Sequence, residues 1–134
     1  MIRIEYRISA PVSSESLNAL FALAWEGHVP HDFSPILQRS LCHVTAHAGD
    51  QLVGFVNVAW DGGVHAFLLD TTVHPDFQRQ GIGQKLVEQA TLEARRRGCH
   101  WLHVDFEEHL ESFYRSCGFQ YTLAGLISLQ EENT

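Results

Sequence analysis

Residues 2–8 alternate strictly, with Ile2, Ile4, Tyr6 and Ile8 set against Arg3, Glu5 and Arg7. A period of two predicts a half-buried strand, which Pro11 ends. Leu17, Leu20, Phe21, Ala24 and Trp25 then recur at helical spacing, with Ser13 or Ser14 as cap and Gly27 as stop. A loop through His28, Pro30, His31 and Asp32 leads to a short helix near Ile36–Arg39. Leu41–His47 reads as a strand and Gly49-Asp50 as a tight turn. Leu52–Trp60 is apolar on both faces, as a central strand is. Asp61-Gly62-Gly63 predicts a hairpin turn, and Val64–Val73 a long strand running up to Pro75. Gly81–Arg97 carries Ile82, Leu86, Ala90 and Ala94 on one helical stripe; Arg95, Arg96 and Arg97 sit at its negative end and Gly98 stops it. Trp101–Phe106 reads as a strand, Leu110–Cys117 as a short helix ended by Gly118, and Phe119–Leu123 and Leu126–Leu129 as two further strands.

Hairpins in the middle followed by a β-α-β crossover predict a mixed sheet covered by helices. The 134 residues suit one domain. With 9 Lys and Arg against 16 Asp and Glu, the net charge of −7 repels phosphate backbones, so nucleic acid is not an expected partner. No apolar run reaches the ~20 residues of a membrane span, and the first residues lack the apolar core of a signal peptide. Cys42, Cys99 and Cys117 have no framework spacing and read as reduced thiols of a cytoplasmic protein. Cys117, in an apolar helical setting, reads as buried and inert.

The segment from Val73 through Pro75, Gln78, Arg79, Gln80, Gly81, Ile82, Gly83 and Gln84 carries the chemistry. A strand ends, a short loop turns, and glycines open a long helix. The first turn of a helix presents unpaired N–H groups at a positive dipole end, and missing side chains let a phosphate approach them. Arg79 and Lys85 add local positive charge. No Gly-Lys-Ser/Thr follows, and Leu86 stands where a dinucleotide fingerprint needs its last glycine. The segment therefore reads as a diphosphate cradle of another kind.

Gln78-Arg79-Gln80-Gly81-Ile82-Gly83 resembles the Q/R-x-x-G-x-G/A motif of the GCN5-related N-acetyltransferases (GNAT). Phe113-Tyr114-Arg115-Ser116-Cys117-Gly118-Phe119 is similar to that family's F/L-Y-x-x-x-G-F signature. The resemblance implies an α/β (α+β) domain over residues 1–134: a mixed, mainly antiparallel sheet of six to seven strands flanked by about four helices. It implies acetyl-coenzyme A as co-substrate, with its pyrophosphate on the backbone of Arg79, Gln80, Gly81, Ile82, Gly83 and Gln84. Gln78 opens that motif. Thr71, Thr72 and Val73 would pair with the pantetheine arm, and an N–H there would polarise the thioester carbonyl. Tyr114 matches the tyrosine that protonates the departing thiolate. The commoner motif has Gly and Arg where this chain has Arg79 and Gln80, a change that leaves backbone cradling intact.

Acyl transfer to an amine also needs a base. His103 stands where many relatives carry a Glu, and an imidazole can take the proton directly or through water. Asp105, which shares its strand face, and Asp70, inside an apolar strand, are the other candidates, each with a structural alternative. Glu107, Glu108 and Glu111 suit a solvated first helical turn and could also draw a cationic acceptor. Trp25, Glu26, His28, His31 and Asp32 occupy the region that shapes acceptor choice in the family. The nearest metal-like clusters, Cys99-His100-x-x-His103 and His43-x-x-x-His47, lack ligand spacing, so no metal is expected. The expected activity is transfer of acetyl from acetyl-coenzyme A directly to a primary amine: a small amine, an amino acid derivative or a peptide N-terminus. The alternative is a non-catalytic acyl-coenzyme A-binding module. A homodimer fits the family habit.

Overall fold

The computed structural model describes residues 2–130. Two compact units divide the chain, the first running to Val104 and the second starting at Asp105. The first contains β1 (Ile4–Ile8), α1 (Ser14–Ala24), α2 (Ser34–Arg39), β2 (Cys42–Ala48), β3 (Gln51–Trp60), β4 (His65–Val73), α3 (Ile82–Arg96) and β5 (Trp101–His103). The five strands form one sheet in the order β1-β2-β3-β4-β5, antiparallel except for the β4–β5 pair. β3 lies at its centre, as its two apolar faces require.

Helices cover both faces. α1 packs on β3 and β4, and Leu17, Leu20 and Phe21 meet Phe33 and Phe55 in a buried cluster. Ser13 caps this helix, its hydroxyl accepting from the Ser16 N–H at 3.1 Å. α2 starts two residues ahead of the expected Ile36 because Pro35 suits a first helical turn. α3 lies on β2, β3 and β4 with Ile82, Leu86, Val87, Ala90 and Ala94 buried. Close approach is possible because position 54 is glycine. A Cβ there would stand 3.0 Å from Leu86 Cδ1 and 3.3 Å from Ile82 Cγ2.

The far end of α3 is tied down by more than the favourable placement of arginines at its negative end. Glu93 is buried and accepts from Arg96 Nε and Nη2 at 2.9 and 2.6 Å and from Arg97 Nε at 2.9 Å. Arg97 also donates to the Leu41 carbonyl at 3.0 Å, beside the start of β2. The Arg96 hydrogen bond leads in pulling the Glu93 carboxyl down to about 2. A lowered folded-state value stabilises the fold above the unfolded carboxyl's range, and that contribution is lost as pH falls through it. The melting-temperature advantage of the parent over Glu93→Gln should therefore hold at pH 7, narrow below about pH 4.5 and close towards pH 2. A gap that stays constant from pH 7 to pH 3 would contradict this account.

The second unit contains α4 (Glu111–Ser116) behind a 3-10 turn at Glu108–Leu110. Leu110 and Cys117, expected inside the helix, are its caps. Tyr114 is buried there among Phe106, Phe113 and Phe119, with ring centroids at 5.0, 4.9 and 5.9 Å.

The expectation of six to seven strands is corrected to five among the described residues. Phe119–Leu123 and Leu126–Leu129 form no strand, and Tyr121, Leu123, Leu126, Ile127 and Leu129 are exposed. A strand needs a neighbour to take its backbone groups, and the described residues of the unit holding these segments include none. β5 likewise ends at His103 rather than at the expected Phe106, because its ladder with β4 covers only three residue pairs.

Candidate active site

The functional segment begins at an irregularity in β4. Phe55 pairs with Thr72 and Asn57 with Leu69, so Val56 alone faces both Asp70 and Thr71. This is a β-bulge, which bends a strand and re-aims its side chains. Asp70 takes the left-handed conformation there, with φ +60°. Asp70 is an exposed residue by surface area, yet desolvation by the protein around its carboxyl pushes the pKa up, and His31 partly opposes that. Thr72 is buried and its hydroxyl donates to the Asp70 carbonyl at 2.9 Å. Thr71 Oγ1 is buried without a hydrogen-bond partner. Such an orphan is an offer to a polar group from outside the chain.

The end of β4 is pinned from two sides. The His74 N–H donates to the Val53 carbonyl at 2.8 Å, and the buried His74 ring accepts from the Asp76 N–H at 3.1 Å. Gln78 Nε2 reaches back to the Val73 carbonyl at 3.3 Å, closing the loop over the strand end. Arg79 (φ +64°) and Gly81 (φ +81°) are both left-handed, and Ile82 opens α3 directly behind them. A left-handed residue followed by right-handed ones curls successive N–H groups toward one concavity, an anion-holding nest. The Lys85 N–H bonds to the Gly81 carbonyl at 3.0 Å, so the amides of Ile82 and Gly83 precede the first intrahelical bond. A Cβ built on Gly81 meets nothing within 4 Å, which leaves the cradle open to a ligand. The orphaned Thr71 hydroxyl, the aligned amides and the open glycine all fit a coenzyme A arm and diphosphate.

β4 and β5 share a ladder only from His65–Trp101 to Phe67–His103, while β4 runs on to Val73. His103 is thus the last paired residue of β5. It is exposed, stacks on Phe67 at 4.8 Å, and its Nε2 lies 2.8 Å from His65 Nδ1. Sequence reasoning missed His65, because only the parallel register brings it to His103.

The α1–α2 loop is ordered by a residue also missed, Asn18. Its Nδ2 donates to the His31 carbonyl at 2.8 Å, and its Oδ1 receives His28 Nε2 at 2.8 Å and the His31 N–H at 3.2 Å. Trp25 stacks on Phe21 at 4.3 Å. Asp32 accepts from the Ser34 N–H and the Ser14 hydroxyl at 3.0 and 3.2 Å, and the Ser34 bonds hold its carboxyl below the usual range. Asp32 is therefore engaged in building the loop.

Tyr114, Asp105 and the Glu107, Glu108 and Glu111 group belong to the second unit. There Glu107 lies 3.5 Å from His109, and Glu111 lies 3.8 Å from Arg115. Cys117 is half-buried rather than buried, and burial pushes its thiol pKa up, which makes it a poor nucleophile at neutral pH. Among the described residues, no three of the His, Cys, Asp and Glu side chains gather to hold a metal ion, and no helix is long and apolar enough to cross a membrane.

A bulged strand feeds a glycine loop and a long helix, beside a parallel neighbour that stops short, and the loop forms an open anion cradle on an α+β sheet. The acetyltransferase (GNAT) domain model matches residues 39–121, more than half the chain, and the chain belongs to that family. It is 33% identical over 72 residues to an uncharacterized N-acetyltransferase, ycf52, of Pyropia yezoensis, a match spanning 54% of this chain and 41% of that protein. The Porphyra purpurea counterpart is 35% identical over 69 residues, spanning 52% and 40%. These matches therefore cover less than half of the relatives' length. A GNAT-family acetyltransferase from Streptococcus pneumoniae superposes with a TM-score of 0.82 at 29% identity, over 97% of this chain and 100% of that one. An aminoglycoside acetyltransferase, AAC(6')-Iy, in complex with the bisubstrate analogue CoA-S-monomethyl-acetylneamine, shares the fold with a TM-score of 0.78 at 20% identity, over 96% and 99%. Among the described residues, the GNAT fold here has five strands and four α-helices.

Proposed function

We propose that residues 1–134 act as one cytoplasmic N-acetyltransferase domain that moves acetyl from acetyl-coenzyme A directly to a primary amine. The observation that carries the reading is left-handed, unobstructed Gly81, set between the pinned end of β4 and the first turn of a 15-residue helix. Thr71, Thr72 and Val73 orient the pantetheine arm. Gln78 closes the loop, and the amides from Arg79 to Gln84 hold the diphosphate. The thioester supplies the acetyl group. A backbone N–H beyond the bulge withdraws electron density from its carbonyl, a fixed dipole that needs no reorganisation.

His103 takes the proton of the acceptor amine and Tyr114 returns one to the leaving thiolate. Asp70, with its raised carboxyl, is the alternative base. The acidic surface and the histidine- and tryptophan-bearing α1–α2 loop favour a cationic acceptor, and pairing of two chains is consistent with the family.

Calorimetric titration with acetyl-coenzyme A, followed by an acetylation screen over primary amines, tests the reading. A folded chain that binds no acetyl-coenzyme A would overturn it. His103→Phe should lower kcat by about 100-fold or more, with the KM for acetyl-coenzyme A unchanged, as loss of a general base does. Tyr114→Phe should do the same through loss of the general acid. If Asp70→Asn shows that loss and His103→Phe does not, the base is the carboxylate in the bulge.

A further inference from the structure

We infer that His65 is a positioning residue for His103, holding it in the tautomer whose Nδ1 is free to accept a proton. The two rings meet through His65 Nδ1 and His103 Nε2 at 2.8 Å, with centroids 5.1 Å apart. Phe67 stacks on the His103 ring at 4.8 Å and 18° between planes. The parallel register places these residues together: His65 pairs with Trp101 and Phe67 with His103, the first and last of the three rungs before β4 runs on without β5. The inference deepens the proposed role of His103 and depends on that proposal for its catalytic meaning.

When both rings are neutral, one proton lies in the contact and two arrangements exist. In the first, His103 Nε2–H donates to His65 Nδ1, and each ring carries its proton on Nε2, the tautomer that free imidazole side chains prefer. In the second, His65 Nδ1–H donates to His103 Nε2, and both rings are forced into the less favoured Nδ1–H form. The first arrangement therefore prevails. It leaves the lone pair of His103 Nδ1 available. When Nδ1 takes a proton from an amine, His103 becomes a cation that still donates through Nε2 to His65, now in a charge-assisted bond. The hydrogen bond to a partner nitrogen sets which ring atom is the base.

Long-range proton–nitrogen NMR of the histidine rings, at a pH where both are neutral, reads the tautomers directly. The parent chain should show His103 protonated on Nε2 and His65 Nδ1 bare. His65→Phe should turn His103 into a mixture of tautomers, and His65→Asn, whose side-chain oxygen can accept the same proton, should restore the single form. His103 protonated on Nδ1 in the parent, or unchanged ring signals in a folded His65→Phe variant, would overturn the inference. The parent spectrum alone decides the tautomer should the Phe variant fail to fold. Undiminished acetyl transfer by His103→Phe is a separate failure. It would remove His103 as base and leave the pairing as the tautomer measurement finds it.

Discussion

Gly81→Glu is expected to bind acetyl-coenzyme A at least about 100-fold more weakly than the parent chain, while melting only several degrees lower. A hundredfold loss corresponds to ~2.7 kcal/mol, and two effects of that order coincide at this position. A side chain at φ +81° pays the left-handed penalty of roughly 1–2 kcal/mol. A carboxylate there would also face the diphosphate; two like charges about 4 Å apart near a protein surface repel by about 4 kcal/mol. The melting temperature should fall by only several degrees, the cost of that left-handed strain, because a Cβ on Gly81 meets nothing within 4 Å and adds no clash. Gly81→Ala is the control: it carries the conformational penalty without the charge and should lose about tenfold or less. Calorimetric titration of the three proteins decides the matter. A Glu variant that binds like the parent would show that the diphosphate lies elsewhere.

Much of this loop's backbone geometry was legible in the sequence, because it depends on freedom that glycine supplies at low cost. The long helix behind it was equally legible, since Ile82, Leu86, Ala90 and Ala94 state a helical period over more than three turns. What escaped reading depends on register. His65 is one more polar residue in an alternating strand until the three-pair ladder with β5 brings it to His103. The bulge at Asp70 leaves no mark in the residues themselves, for Asp tolerates the left-handed region without needing to be glycine. The two C-terminal strands failed for the opposite reason. Their apolar character is plain in Tyr121, Leu123 and Ile127, but apolar character does not supply a neighbouring strand. Glu93 was hidden by its own type, since a carboxylate on a helix is expected in solvent and not beneath two arginines.

The other large effect should come from the opposite face of the sheet. Phe21 is fully buried and is the hub of an aromatic group, with Trp25 stacked at 4.3 Å and Phe33, His28 and Phe55 at 5.2, 5.5 and 5.8 Å. Phe21→Ala removes a ring from a packed site whose neighbours, held by α1 and β3, collapse only partly into the gap. The expected loss is about 3–5 kcal/mol of stability, a fall in melting temperature of ~10–20 °C for a chain of this size. The functional consequence should be lopsided. Gly81 and Gly83 are carried by β4 and α3, which keep their own packing through Gly54, Leu86 and Ile82. Acetyl-coenzyme A affinity measured below both melting temperatures should therefore survive. Trp25 and His28 lose the ring they rest on, so the α1–α2 loop loosens and the KM for the amine should rise. Equal weakening for both substrates would mean that the loop and the cradle are mechanically one piece. A melting temperature within a few degrees of the parent would mean that this aromatic cluster is not the core of its face.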